Sequence, residues 1–172
     1  MSNYTFKCQH PEYDELVLSV TGYEDNNKTY VFPDNGWNGT MWKIKNNDDG
    51  TCCLISQNKV SEGLVLSTSG KEDDNKVHVY PDNGWIGTKW KKRDNPDGTV
   101  SFICQHEAFA GQVLRNCYDE VVIDVDDSFP GNNWIMTEIK EVTRTPVPSH
   151  HIALFGQIGD IGFLGFGHNP FR

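Results

Sequence analysis

Basic residues are scarce. Fifteen Lys and Arg stand against 24 Asp and Glu, for a net charge of −9. Nucleic acid and anionic membrane both need a concentrated cationic surface, so the balance speaks against either as the main partner. The one basic cluster, Lys89-Trp90-Lys91-Lys92-Arg93, is short and runs into Asp94, as a solvated strand end would. No apolar run approaches the roughly 20 residues that span a bilayer, so no membrane insertion is expected. Met1-Ser2-Asn3-Tyr4 shows neither a basic nor an apolar leader segment, which leads us to expect a cytoplasmic protein or one released without a signal peptide. The five cysteines are odd in number and lack metal-ligand spacing. They are expected to be reduced, small and mostly buried, with the adjacent Cys52 and Cys53 facing opposite sides of a strand.

Catalytic signatures are missing too. There is no phosphate-binding glycine loop, no nucleophile elbow and no metalloprotease motif. The six His are scattered, and the pair His150-His151 reads as solvated rather than as a metal site. The Asp-rich stretches lack the twelve-residue spacing of a helix-loop-helix calcium site and read as solvated loops. The expectation is a binding protein, not an enzyme, with no cofactor and no metal.

What the chain does have is an internal repeat. Residues 17–57 laid over 65–105, shifted by 48, agree at 24 of 41 positions without a gap. Pro33-Asp34-Asn35-Gly36-Trp37 matches Pro81-Asp82-Asn83-Gly84-Trp85, and Asp49-Gly50-Thr51 matches Asp97-Gly98-Thr99. A worn third copy carries Val113-Leu114 in register, but its Trp134 arrives four residues early. The N-terminal Phe6-Lys7-Cys8-Gln9-His10 aligns with Leu54-Ile55-Ser56-Gln57-Asn58 and with Phe102-Ile103-Cys104-Gln105-His106. Each unit reads as four short strands, Tyr4–Cys8, Leu16–Val20, Thr29–Phe32 and Met41–Lys45 in the first copy. Gly, Asn, Asp and Pro punctuate them, and Tyr4, Phe6 and Cys8 alternate with Thr5 and Lys7. Three four-strand units predict an all-β fold, a β-trefoil, with a domain over 1–142 and an apolar extension over 143–172. A propeller would need at least four blades.

Over residues 4–142 the chain resembles the ricin-B-like β-trefoil lectins. The resemblance is carried by the strand Leu16-Val17-Leu18-Ser19 and its repeats, by Trp42, Trp90 and Trp134 closing the units, and by the Asp-Gly-Thr turns that follow. It implies the β-trefoil fold and carbohydrate binding. In that family the closing Trp belongs to a Gln-x-Trp motif, and the Gln position here holds Thr40, Thr88 and Asn132. The family's sugar-binding Asp corresponds to Ser19, Ser67 and Arg115.

The residues themselves point to a different local set. Asp34, Asn35 and Trp37, and again Asp82, Asn83 and Trp85, place an aromatic ring, a carboxylate and an amide within four residues. A pyranose offers an apolar face for the ring and vicinal hydroxyls for an acceptor and a donor. Each of these Trp could equally plug the barrel end. The third unit has Asp127-Ser128-Phe129-Pro130-Gly131-Asn132-Asn133 instead and is expected to bind nothing. Trp42, Trp90 and Trp134, kept in all units, are expected in the core. The expected function is a lectin for glycans or glycoproteins. The alternative is a trefoil that binds protein, as cytoskeletal binders and protease inhibitors do. The tail Thr143–Arg172 is apolar, Gly-broken and too short to span a membrane. It could pack on its own domain, dock to another protein or pair with a second subunit; the last, a homo-oligomer, is the favoured expectation.

Overall fold

The computed structural model describes residues 1–20, 27–71 and 74–140. The tail, and residues 23–26 and 72–73 of the acidic loops, lie outside the described residues, and with them the expectations made of the tail.

Among the described residues twelve strands follow one another. In chain order they are β1 Asn3–Cys8, β2 Leu16–Val20, β3 Thr29–Pro33, β4 Trp42–Asn46, β5 Cys52–Ser56 and β6 Val65–Thr68. The second half runs β7 Val77–Tyr80, β8 Trp90–Asp94, β9 Val100–Cys104, β10 Val113–Cys117, β11 Glu120–Asp124 and β12 Trp134–Ile139. Six of them close a ring by antiparallel pairing: β1–β4, β4–β5, β5–β8, β8–β9, β9–β12 and β12–β1. Closure leaves this barrel no open edge. The hairpins β2–β3, β6–β7 and β10–β11 join the ring through β1–β2, β5–β6 and β9–β10. They meet one another at three related contacts, Tyr30 with Glu120, His78 with Lys28 and Val122 with Lys76. This is the β-trefoil that the repeat predicts.

The repeated apolar positions build the core. Phe6, Leu54 and Phe102 are fully buried, and the Phe6 and Phe102 rings meet edge-on at 5.2 Å. Trp42, Trp90 and Trp134 open β4, β8 and β12 with no exposed surface. Their indole N–H groups donate to the carbonyls of Leu18, Leu66 and Leu114 at 2.9, 3.0 and 3.1 Å. Each Trp thus ties its hairpin to the barrel and satisfies its own buried donor. All five cysteines are free, four of them buried. Burial pushes the Cys8 and Cys52 thiols up to about 11.

The four-residue shortening of the third unit falls between β10 and β11. A two-residue turn, Tyr118-Asp119, replaces the long acidic loop of the other copies. Tyr118 takes a positive φ of 60°, uncommon for a bulky residue, and its carbonyl accepts from the Asn116 amide at 2.7 Å. The basic cluster lies along β8 and is largely neutralised: Lys89 pairs with Asp49 at 2.7 Å, Lys92 with Asp94, and Arg93 with Asp126.

Candidate functional site

Counted from the hairpin registers, residues 32–37, 80–85 and 124–129 are equivalent and ungapped. Phe32, Tyr80 and Asp124 face Val17, Val65 and Val113 across their hairpins. Five residues further on, Trp37, Trp85 and Phe129 each precede a three-residue 3-10 turn. The third unit therefore retains an aromatic where the other two have Trp. Its sequence differs from Asp-Asn-Gly-Trp but its turn does not: the shortened loop shifts the register by four, and Phe serves the turn as Trp does.

The turn chemistry is the same three times. The backbone N–H of Trp37 donates to Asn35 Oδ1 at 3.0 Å, that of Trp85 to Asn83 Oδ1 at 3.0 Å, and that of Phe129 to Asp127 Oδ1 at 2.9 Å. Asp34 and Asp82 also accept, more loosely, from the N–H groups of Gly36 and Gly84 at 3.4 Å. Gly36 and Gly84 take φ of 72° and 76°, a conformation side chains resist. The positions where the resemblance expects Gln hold buried polar groups that lock these turns. The Thr40 and Thr88 hydroxyls donate to the Trp37 and Trp85 carbonyls at 2.7 Å, and the Asn132 amide donates to Asp127. Part of the predicted binding set thus shapes its own loop. What stays outward is the Asn35 and Asn83 amide donors and one carboxylate oxygen of Asp34.

Neither Trp37 nor Trp85 plugs the barrel. They are 43% and 37% exposed. Each indole lies against a turn glycine so closely that an added Cβ at Gly39 or Gly87 would come within 2.4 or 2.3 Å of the ring. Trp85 also meets His106 at 5.2 Å between ring centres. Each ring is thus seated against its own turn while about two-fifths of the residue stays in solvent.

The third aromatic is covered. The Arg115 guanidinium lies 4.0 Å over the Phe129 ring, pairs with Asp124 at 3.0 Å and approaches Asp127 to 3.6 Å. Its side chain is only 14% exposed. The equivalent residues in the other units, Ser19 and Ser67, are buried and too short to reach the rings. Among the described residues, the Ser19 hydroxyl has no hydrogen-bond partner.

Sequence reasoning missed Phe32 and Tyr80. Both are exposed, at the strand end that leads into the candidate turn, and pair edge-on with Tyr30 at 6.2 Å and His78 at 6.1 Å. The signal was present: in an alternating strand whose Thr29 and Val31 face inward, Tyr30 and Phe32 must face out. The two predicted sites also differ in charge. Asp82 Oδ2 accepts from Lys45 Nζ at 2.6 Å, and this pair holds the Asp82 carboxyl below the usual carboxylate range. Among the described residues no group of three or more His, Cys, Asp or Glu side chains converges as a metal site requires.

No family model matches the chain, and no curated protein matches its sequence. Solved structures do match. A designed three-fold symmetric protein, ThreeFoil, superposes with a TM-score of 0.68 at 17% identity, over 80% of this chain and 99% of its own. An exo-β-1,3-galactanase from Clostridium thermocellum gives 0.68 at 19% identity, over 81% of this chain and 30% of that enzyme. SeviL, solved with asialo-GM1 saccharide bound, gives 0.60 at 13% identity, over 81% of this chain and 100% of its own. The chain thus spans under a third of the galactanase. At these identities the likeness establishes the β-trefoil fold.

Proposed function

We propose that the protein is a carbohydrate-binding lectin with sugar sites in its first two repeats, centred on Asp34, Asn35 and Trp37 and on Asp82, Asn83 and Trp85. The observation that carries this reading is the contrast among three equivalent aromatic rings. Phe129 is covered by the protein's own guanidinium, while Trp37 and Trp85 keep about two-fifths of their surface exposed beside an asparagine. The C–H face of a pyranose fits such a ring, and its vicinal hydroxyls fit the amide and carboxylate. Phe32 and Tyr80 add a second aromatic surface near each turn. A binding module rather than a catalyst is the role these residues support. Two of the structural neighbours bind or act on glycans by name, a galactanase and a protein solved with a saccharide.

Single shallow sites of this kind bind weakly, and useful strength comes from engaging two at once. The test is a glycan array probed with the full chain. Discrete hits that free sugar competes away are expected. An array without competable hits, with a protein captured through the same loops, would favour the protein-binding alternative.

A further inference from the structure

The charge difference between the two sites arises from outside the repeat that carries each one. Asp34, Asp82 and Asp126 are equivalent, each two residues beyond Phe32, Tyr80 and Asp124 in turn. A cation from the preceding unit meets two of them. Lys45, three residues after Trp42, holds Asp82 at 2.6 Å. Arg93, three residues after Trp90, holds Asp126 through two contacts of 2.6 and 3.1 Å. Three residues after Trp134 stands Thr137, exposed and uncharged. The ring of inter-unit pairs is therefore broken at the place that would serve Asp34. Among the described residues no cation lies within ion-pair distance of Asp34. Lys89 reinforces the contrast, since its field also acts on Asp82.

We propose that this break makes the two repeats differ in specificity. The uncompensated carboxylate of Asp34 makes the first-repeat site select neutral glycans over acidic ones, and Lys45 makes the second-repeat site tolerate both. The inference rests on the lectin reading above and names its ligand classes. A terminal sialic acid brings a carboxylate beside Asp34, whose charge no cation among the described residues pairs with. Repulsion at such short range in a half-solvated loop is worth about three- to tenfold in affinity, and salt screens it once the Debye length falls well below about 8 Å. In the second repeat the same carboxylate meets an aspartate already paired with an ammonium group.

The experiment isolates each site in the full chain. Trp85→Ala leaves the first and Trp37→Ala leaves the second. Each protein is tested on immobilised lactose, N-acetyllactosamine and asialo-GM1 saccharide, every one beside its sialylated form. The Trp85→Ala protein should prefer the neutral member about three- to tenfold at low salt, and the Trp37→Ala protein should treat the members alike within about twofold. Adding Asp34→Asn, which keeps the oxygen that Gly36 uses, or Thr137→Lys, which supplies the missing cation, should collapse the preference of the Trp85→Ala protein. A preference that survives both substitutions, or one shared equally by the two sites, overturns the inference and leaves the lectin reading standing. If the unmutated chain binds no member of any pair and the array shows no competable hit, the lectin reading itself fails and this inference with it.

Discussion

Trp90→Ala is expected to destabilise the protein by about 3–5 kcal/mol, the range for removing a large aromatic from a closed core. Trp90 has no exposed surface and its indole donates to the Leu66 carbonyl at 3.0 Å. The substitution opens a cavity among residues that cannot collapse into it, because the six-strand ring is closed by pairing on every side. It also leaves the Leu66 carbonyl without its donor. Against a total stability of roughly 5–15 kcal/mol, this is a large share. Trp90→Phe keeps most of the volume and loses the hydrogen bond, so about 1–3 kcal/mol is expected. Urea unfolding checks both through the midpoint at constant slope. A loss under about 1 kcal/mol for Trp90→Ala would contradict the role assigned to the three closing tryptophans.

Trp37→Ala combined with Trp85→Ala is expected to abolish glycan binding while the domain stays folded. These rings are about two-fifths exposed and rest on glycine rather than being enclosed. Each change should cost roughly 1–2 kcal/mol, well below the cost at Trp90, because part of the ring's surface is already in water and solvent fills the space it leaves. The single variants should keep monovalent binding to a soluble oligosaccharide and lose the added strength seen on a dense surface. Calorimetry on the soluble ligand and retention on an immobilised one separate the two effects. Full binding by the double variant would remove both rings from the site.

The fold was legible because its core-forming residues recur. Trp42, Trp90 and Trp134, with Phe6, Leu54 and Phe102, sit at fixed spacing, and a pattern repeated three times reports a threefold structure directly. The turn at Trp37 and Trp85 was legible as well, though its Asn proved to hold the backbone in place as well as to offer an amide. The equivalence of Phe129 to the two tryptophans was hidden because the shortening between β10 and β11 displaced it by four residues, and because Phe and Trp, or Asp and Asn, serve that turn alike. The Arg115 cap and the pairs Lys45–Asp82 and Arg93–Asp126 escaped for another reason. The first joins residues 14 apart across the β10–β11 hairpin, the others join residues 37 and 33 apart in successive repeats, and no local pattern announces them.

Acid should weaken the pairs between repeats. The Asp82 and Asp126 carboxyls are held below their ordinary value by Lys45 and Arg93. Their contribution is therefore complete above about pH 4, the ordinary carboxylate range, and is lost as pH falls through the depressed folded values. Both pairs are partly exposed to solvent, so the effect on stability is small, under about 1 kcal/mol each, and salt reduces it.

The most direct measurement of the central claim is a crystal of the full chain soaked in the sugar that competes best on the array. The expected result is a pyranose stacked on Trp37 and another on Trp85, with hydroxyls on the Asn35 and Asn83 amides, and nothing over Phe129, where the Arg115 guanidinium already lies. A sugar bound over Phe129, or one bound away from both tryptophans, would contradict the account.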